Sequence, residues 1–318
     1  MRMTLHGGGR PFEQIMRSAS AGRIVHALIL HGEAGTGRHT AAFQLASALL
    51  CRGNDKPCGV CPGCQRVAAH THPDLHILSP EEDKKSISVE QVRKLVADVA
   101  QRPFEGGARV IVIDVADQMT DSAQNALLKT LEEPGSDTAF LLVTNQLSSL
   151  LPTIRSRCRA VRFSPLSVSE CRDVILSRGA SEASAPVAAA LARGSVGRAL
   201  ELAEKGTDAF LPVLDSLTDL ARGRLNQAIA PLTDKKLNRN EVLDFMETWA
   251  RDKLMWDEGS PTYLPPEQAK FAEIALPGGA LLKAVGNIRR RLASNVSLEH
   301  AIRSAYIEIT EEQTKWQP

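Results

Sequence analysis

Three groups of residues in this chain have types and spacings that could do chemistry. The first is the stretch HGEAGTGRHT, His31 to Thr40. It keeps the glycines of a phosphate-binding loop, G-x-x-x-x-G-K-[ST], at Gly32 and Gly37, with Gly35 between them. In such a loop, backbone N–H groups and a helix N-terminus surround the phosphates. A lysine bridges the terminal phosphates and a hydroxyl holds Mg²⁺. Here Arg38 stands at the lysine position and His39 at the hydroxyl position. A guanidinium is long and planar and does not replace a compact point charge. An imidazole is a poor ligand for an oxygen-preferring Mg²⁺. Thr40 has the hydroxyl but comes one residue late, about 100° further round a helix. On its own the stretch reads either as a degenerate phosphate loop or as a glycine-rich turn with no ligand.

The partner of such a loop is a strand ending in Asp-Glu. The chain supplies VIVIDVAD, with Asp114 as the metal-side carboxylate and Val115 where a water-activating glutamate would stand. A positioned general base contributes about 10²–10⁴-fold in rate, and valine contributes none of it. The loss of lysine, hydroxyl and base together predicts no ATP hydrolysis and leaves weak nucleotide binding open.

The second group is CRGNDKPCGVCPGC. Cys51, Cys58, Cys61 and Cys64 form a C-x₆-C-x₂-C-x₂-C pattern, with Gly59, Pro62 and Gly63 as turn residues. Four thiolates can close a tetrahedral zinc site with no open position, so the expected zinc is structural. Cys158 and Cys171 lie apart and read as small buried apolar residues.

The third group is PTIRSRCRAVRF, with Arg155, Arg157, Arg159 and Arg162. Alternating arginines at a strand entry read either as one solvated face or as a source of one arginine reaching across a subunit boundary. Such a finger stabilises the charge of a transferring γ-phosphoryl group. Arg198, in GSVGRAL, faces the same choice between a nucleotide contact and a surface cap.

The elements that must position these residues are legible. ALILHG, ARVIVIDVAD, TAFLLVTN and CRAVRFSPL read as strands, the middle two continuous enough to be buried on both faces. A helix is expected over TAAFQLASALLC. Another follows a Ser88 cap in ISVEQVRKLVADVAQ, and a third starts at Thr120 or Asp121 and stops at Pro134-Gly135. Strands alternating with helices predict a parallel α/β sheet. Past Pro165 the pattern is helical, interrupted by the irregular DEGSPTYLPPEQ. The fold class expected is α/β plus all-α. The division expected is 1–165, 166–206 and 207–318, with the cysteine module at 51–64.

Composition narrows the partners. A net charge of +1 gives no global argument for nucleic acid, and 4% aromatic residues argue against a base-stacking platform. The apolar runs fall far short of the ~20 residues of a membrane span, and MRMTLHGGGRPFEQ has no signal-like apolar core. The chain is expected in a reducing cytoplasm, its six cysteines as thiols.

In order, HALILHGEAGTGR, the four-cysteine insertion, HPDLHIL, ISVEQVRKL, QNALLKTLEEP, TIRSRC and GSVGRAL resemble the bacterial clamp-loader family, over essentially the whole chain. That AAA+ machine opens the sliding clamp for the replicative polymerase. The resemblance implies an AAA+ parallel-sheet domain, a three-helix lid and a helical collar domain within a hetero-pentamer of the polymerase holoenzyme. Its ATPase subunits, gamma and tau, are expected to keep the loop lysine, an Asp-Glu pair and an initial YRP segment. This chain lacks all three and so resembles a subunit without hydrolysis of its own. Its implied role is to offer Arg157, flanked by Ser156 and Cys158, to the ATP site of an adjacent gamma or tau. Asn145 and Arg198 fall at the family's two sensor positions and, with Asp114, are implied remnants of a nucleotide site. The implied partners are gamma or tau, delta, the sliding clamp and primer–template DNA through phosphate contacts. The helix near Thr120 is the candidate for DNA, and Arg289 to Arg291 read as a solvated face. A divergent gamma-like ATPase is the alternative. A zinc-dependent DNA-binding protein is a third reading, disfavoured by the charge and aromatic content.

Overall fold

The computed structural model describes residues 8–314 except 24, 83, 100, 101, 106, 136, 206–210, 234–237 and 265–268. It divides into two compact units, 1–166 and 167–318.

The first unit is built on five parallel strands: β1 (Ala27–Gly32), β2 (Leu75–Leu78), β3 (Arg109–Ile113), β4 (Thr138–Thr144) and β5 (Arg159–Phe163). Their order in the sheet is β2-β3-β4-β1-β5. Leu30 faces Val143 on one side and Val161 on the other, so β1 is interior. Alternate residues of each strand feed two cores. Leu28, Leu30, Val110, Val112, Leu141 and Val143 pack under α1 (Gly9–Ser20) and α2 (Arg38–Leu50). Ile29, Ile111, Ile113, Phe140 and Leu142 pack under α4 (Val89–Val99) and α5 (Asp121–Glu132). With both faces covered, every residue of β3 and β4 is buried, which explains their unbroken apolar sequences. Ala41, Ala42, Ala46 and Ala48 let α2 lie close on the sheet. Two short helices complete the unit: α3 (Pro62–Ala68) in the cysteine insertion and α6 (Pro152–Arg155) before β5.

The caps bear out the sequence signals. The Ser88 hydroxyl accepts from the Gln91 N–H while the Gln91 side chain accepts from the Ser88 N–H at 2.9 Å. Thr120, not Asp121, caps α5. One start differs. The helix expected from Thr40 begins at Arg38, because Gly37, at φ +90°, turns the chain into it two residues earlier. α1 was not anticipated, although Phe12, Ile15 and Ala19 repeat at helical spacing and are buried.

Among the described residues the second unit is built of helices: α7 (Val168–Ser177), α8 (Ala185–Leu191), α9 (Val196–Lys205), α10 (Leu211–Ala221), α11 (Leu225–Leu232), α12 (Arg239–Asp257), α13 (Gly278–Ala293) and α14 (Leu298–Thr314). α12 and α13 touch so closely that a Cβ on Gly278 would lie 2.1 Å from the Leu254 nitrogen. The irregular segment appears at 258–264, and its remainder, 265–268, lies outside the described residues. So does the expected boundary at 206–207. Among the described residues no helix is long and apolar enough to cross a membrane.

Candidate nucleotide, metal and arginine sites

The carboxyl ends of β1, β3 and β4 bring the first group together. In an open parallel sheet this edge is where ligands bind. β1 runs into the loop 33–37, which closes on itself through a bond from the Thr36 hydroxyl to the Glu33 carbonyl at 2.7 Å. Gly32 is required by crowding, since a Cβ there would stand 2.1 Å from the Phe163 carbonyl oxygen.

Arg38 opens α2 and points inward. It is only 7% exposed. Its Nη2 donates to Asn145 Oδ1 at 2.6 Å, and its Nη1 donates to the Thr144 carbonyl oxygen. The cation at the lysine position is therefore spent on the end of β4. Burial lowers its pKa, against the pull of Asp117 and Asp114. The Asn145 side-chain oxygen is engaged by the same contact. Sequence reasoning missed Asp117, whose carboxylate accepts from the Thr144 hydroxyl at 2.9 Å and the Asn145 N–H at 3.0 Å, fixing both.

His39 Nε2 lies 3.7 Å from Asp114 Oδ2, and its ring packs against Phe43, with centroids 4.6 Å apart. The Asp114 carboxylate, expected on the metal side of a nucleotide site, thus faces an imidazole. Thr40 sits half-buried on α2. Val115 holds a left-handed backbone, φ +47° and ψ +50°, which a β-branched residue adopts only under strain. His31, at the end of β1, has its pKa lowered by burial, then by Arg162 and Arg38.

The second group is a closed cluster. The sulfurs of Cys51, Cys58, Cys61 and Cys64 all lie within 4.8 Å of one another, and all four are free thiols. Three edges measure 3.6, 3.9 and 4.0 Å. Sulfurs at ~2.3 Å from one zinc ion, at tetrahedral angles, would stand ~3.8 Å apart. Cys51 caps the end of α2 and Cys61 caps the start of α3, with Pro62 next. Backbone N–H groups of Gly53, Cys61 and Cys64 point at sulfurs of the cluster at 3.3 to 3.4 Å. The Cys64 N–H holds the Cys61 thiol down at about 6, whereas burial pushes Cys64 up to about 12. Four soft ligands turned inward, one of them costly to ionise alone, suit a thiophilic cation. Arg52 and Arg66 clamp the module to Glu105, at 3.0 and 2.6 Å, a contact with no signal in the sequence. Cys158 and Cys171 are buried, as expected, and burial raises both thiols to about 11.

The third group lies on the surface. Arg155, Arg157, Arg159 and Arg162 are all exposed residues. Arg157 is the tethered one. Its Nε donates to Glu132 Oε1 at 2.7 Å and its Nη1 donates to the Thr153 carbonyl at 2.9 Å. Ser156 turns its hydroxyl to the same carbonyl, at 3.0 Å.

In the second unit Arg198 donates to Asp244 Oδ2 at 2.6 Å. Arg289 donates to Asp244 Oδ1 at 2.6 Å, and Arg193 lies 3.2 Å from the same oxygen. Burial pushes the Asp244 carboxyl up, but the bonds from Arg289 and Arg198 outweigh it and hold it below the usual range. Arg291 pairs with Glu308 and Arg290 bonds Asn287, so the 289–291 run is built into helix contacts and is not simply solvated.

Residues 9–167 match the family described as "DNA polymerase III, delta subunit". A relative from Haemophilus influenzae, DNA polymerase III subunit delta', is 34% identical over 254 residues, 77% of each chain. The chain belongs to the DNA polymerase III delta-prime family. The Pseudomonas aeruginosa subunit delta' is 47% identical over 152 residues, 46% of each chain. The chain spans about half the length of the first curated relatives it matches, 44% to 58%. A solved gamma subunit-related protein of Thermotoga maritima covers 94% of this chain and 98% of its own, at 15% identity and a TM-score of 0.45. Membership rests on the sequence matches.

Proposed function

We propose that this chain is a subunit of the clamp loader that hydrolyses no ATP itself and acts on a neighbour's ATP. The observation that carries the reading is Arg38. Its guanidinium is buried and bonded to Thr144 and Asn145, so the loop offers phosphates a backbone cradle without a free cation. Val115 supplies no base beside Asp114. A family member with such a site contributes through its surface, and Arg157 of the Ser156-Arg157-Cys158 segment is the group with the right chemistry. Its planar charge would stabilise the γ-phosphoryl transition state in an adjacent gamma or tau subunit.

The four cysteines would hold a structural zinc ion that fixes 51–64 on the first unit. Residues 166–206 would form the lid and 207–318 the collar that joins delta and the ATPase subunits. DNA would be met through phosphates, with the sliding clamp, in the cytoplasm.

The test is ATP turnover by the isolated chain and by the complex reconstituted with gamma or tau, delta, clamp and primed DNA. The isolated chain should be inert, and Arg157→Ala should cut turnover of an assembled complex at least tenfold, at the low end of arginine-finger effects. Turnover by the isolated chain would instead make it a gamma-like motor. Unchanged turnover of the Arg157→Ala complex would remove the trans-acting role.

A further inference from the structure

The Arg157 guanidinium is held before any neighbour arrives. Nε donates to Glu132 Oε1 at 2.7 Å, and Nη2 pairs with the same oxygen. Nη1 donates to the Thr153 carbonyl at 2.9 Å and to Ser156 Oγ at 3.3 Å. The anchors belong to one block. Glu132 ends α5 and Thr153 lies in α6. Gln124 of α5 accepts from the Leu151 N–H at 2.8 Å and donates to the Ser149 carbonyl at 3.3 Å, fixing the segment that leads into α6. Leu127, Leu131 and Ile154 fasten both helices to the core. The ion pair itself is at the surface, with side chains 34% and 48% exposed.

We propose that Glu132 is a positioning residue for Arg157. The inference rests on the reading of Arg157 as a trans-acting group. A surface arginine loses more rotamer freedom on being fixed than almost any other side chain. When a bond inside the free subunit fixes it, that loss no longer falls on the step in which the arginine meets its target. Glu132 takes the side edge of the guanidinium, Nε and one N–H of Nη2, and leaves the second N–H of Nη2 for an outside acceptor. Fold stability does not account for the pair, because exposed ion pairs contribute little to it. Its consequence is the orientation of one donor group at a surface.

The experiment is single-turnover ATP hydrolysis by the reconstituted complex with Glu132→Ala, Glu132→Gln, Arg157→Ala and the double variant Glu132→Ala/Arg157→Ala. Glu132→Ala should lower the rate at saturating ATP about two- to tenfold, the ordering cost of one long side chain, with KM for ATP unchanged. Glu132→Gln keeps the acceptor oxygen and should recover most of the rate. The double variant should be no slower than Arg157→Ala. Thermal midpoints of the Glu132 variants should match the parent. A wild-type rate for Glu132→Ala beside a slow Arg157→Ala would overturn the inference alone. So would a faster rate, which would make Glu132 a restraint, or a double variant slower than Arg157→Ala. A wild-type rate for Arg157→Ala would overturn the trans-acting reading and this inference with it.

Discussion

Replacing Arg38 by methionine tests whether the altered loop is a plugged site. Methionine keeps an unbranched apolar stem and removes the two bonds to the end of β4. Asn145 is an exposed residue, so water can replace its lost donor. Thr144 is fully buried, and its carbonyl loses a charged donor that water does not reach. A buried acceptor left without its partner costs about 1–3 kcal/mol. Relief of the desolvation of a guanidinium that is 7% exposed offsets part of this. The expected net loss is about 1–2 kcal/mol, or about five- to thirtyfold in an opening equilibrium. A chain of two compact units need not melt in one step. Amide hydrogen exchange over β4 and the start of α2 is therefore the assay, and protection there should fall by that factor. Arg38→Lys should lose protection similarly, because one compact ammonium cannot reproduce the planar fork. It should still hydrolyse no ATP, because Val115 supplies no base. Unchanged protection in Arg38→Met, or turnover by Arg38→Lys, would refute the plug.

Three further outcomes are expected. Metal analysis should find about one zinc per chain, and chelation or Cys64→Ser should lower the thermal midpoint of the first unit; a metal-free chain with an unchanged midpoint would count against the four-cysteine site. Asp244 has a folded pKa below its unfolded value, so it stabilises the second unit fully above the unfolded pKa, near 4. That contribution should fade as pH drops from there through the depressed folded value, and Asp244→Asn should flatten the acid limb of an unfolding curve, which a parallel limb would contradict. Val115→Asn should stabilise the first unit by about 1 kcal/mol and so raise its thermal midpoint, because asparagine tolerates the left-handed backbone held at φ +47°; a lower midpoint would show that valine packing outweighs the strain.

What the sequence made legible follows a physical division. β3 and β4 were readable because helices cover both their faces, so burial alone dictates continuous apolar residues. The cysteines were readable because four thiols that could hold one ion must cluster, and the chain between them is short. The glycine loop was readable because turns impose their demands locally. What was not readable is partnership across distance. Glu132, Asp117, Glu105 and Asp244 are ordinary acidic residues in sequence. Each becomes specific only when the fold carries an arginine or a backbone N–H to it from 25 to 53 residues away. Local patterns constrain the backbone, whereas ion pairs are chosen by the finished fold.

The same division applies to the loop 33–37 and its surroundings. In sequence the lysine, hydroxyl and base are three separate losses. In the structure the loop and the end of β4 are one arrangement, since Arg38, at the lysine position of the motif, is bonded to Asn145. An added phosphate would have to compete with a bond already made inside the protein. Restoring one residue of the motif therefore leaves the rest of that arrangement in place. The helix that begins with Arg38 is capped at its other end by Cys51, so one rigid element carries the buried guanidinium at one end and a thiol of the cysteine cluster at the other. Its alanines seal it against the sheet between them. If Arg157 acts on a neighbour as proposed, this firmly seated helix is the framework and the exposed arginine is the working group.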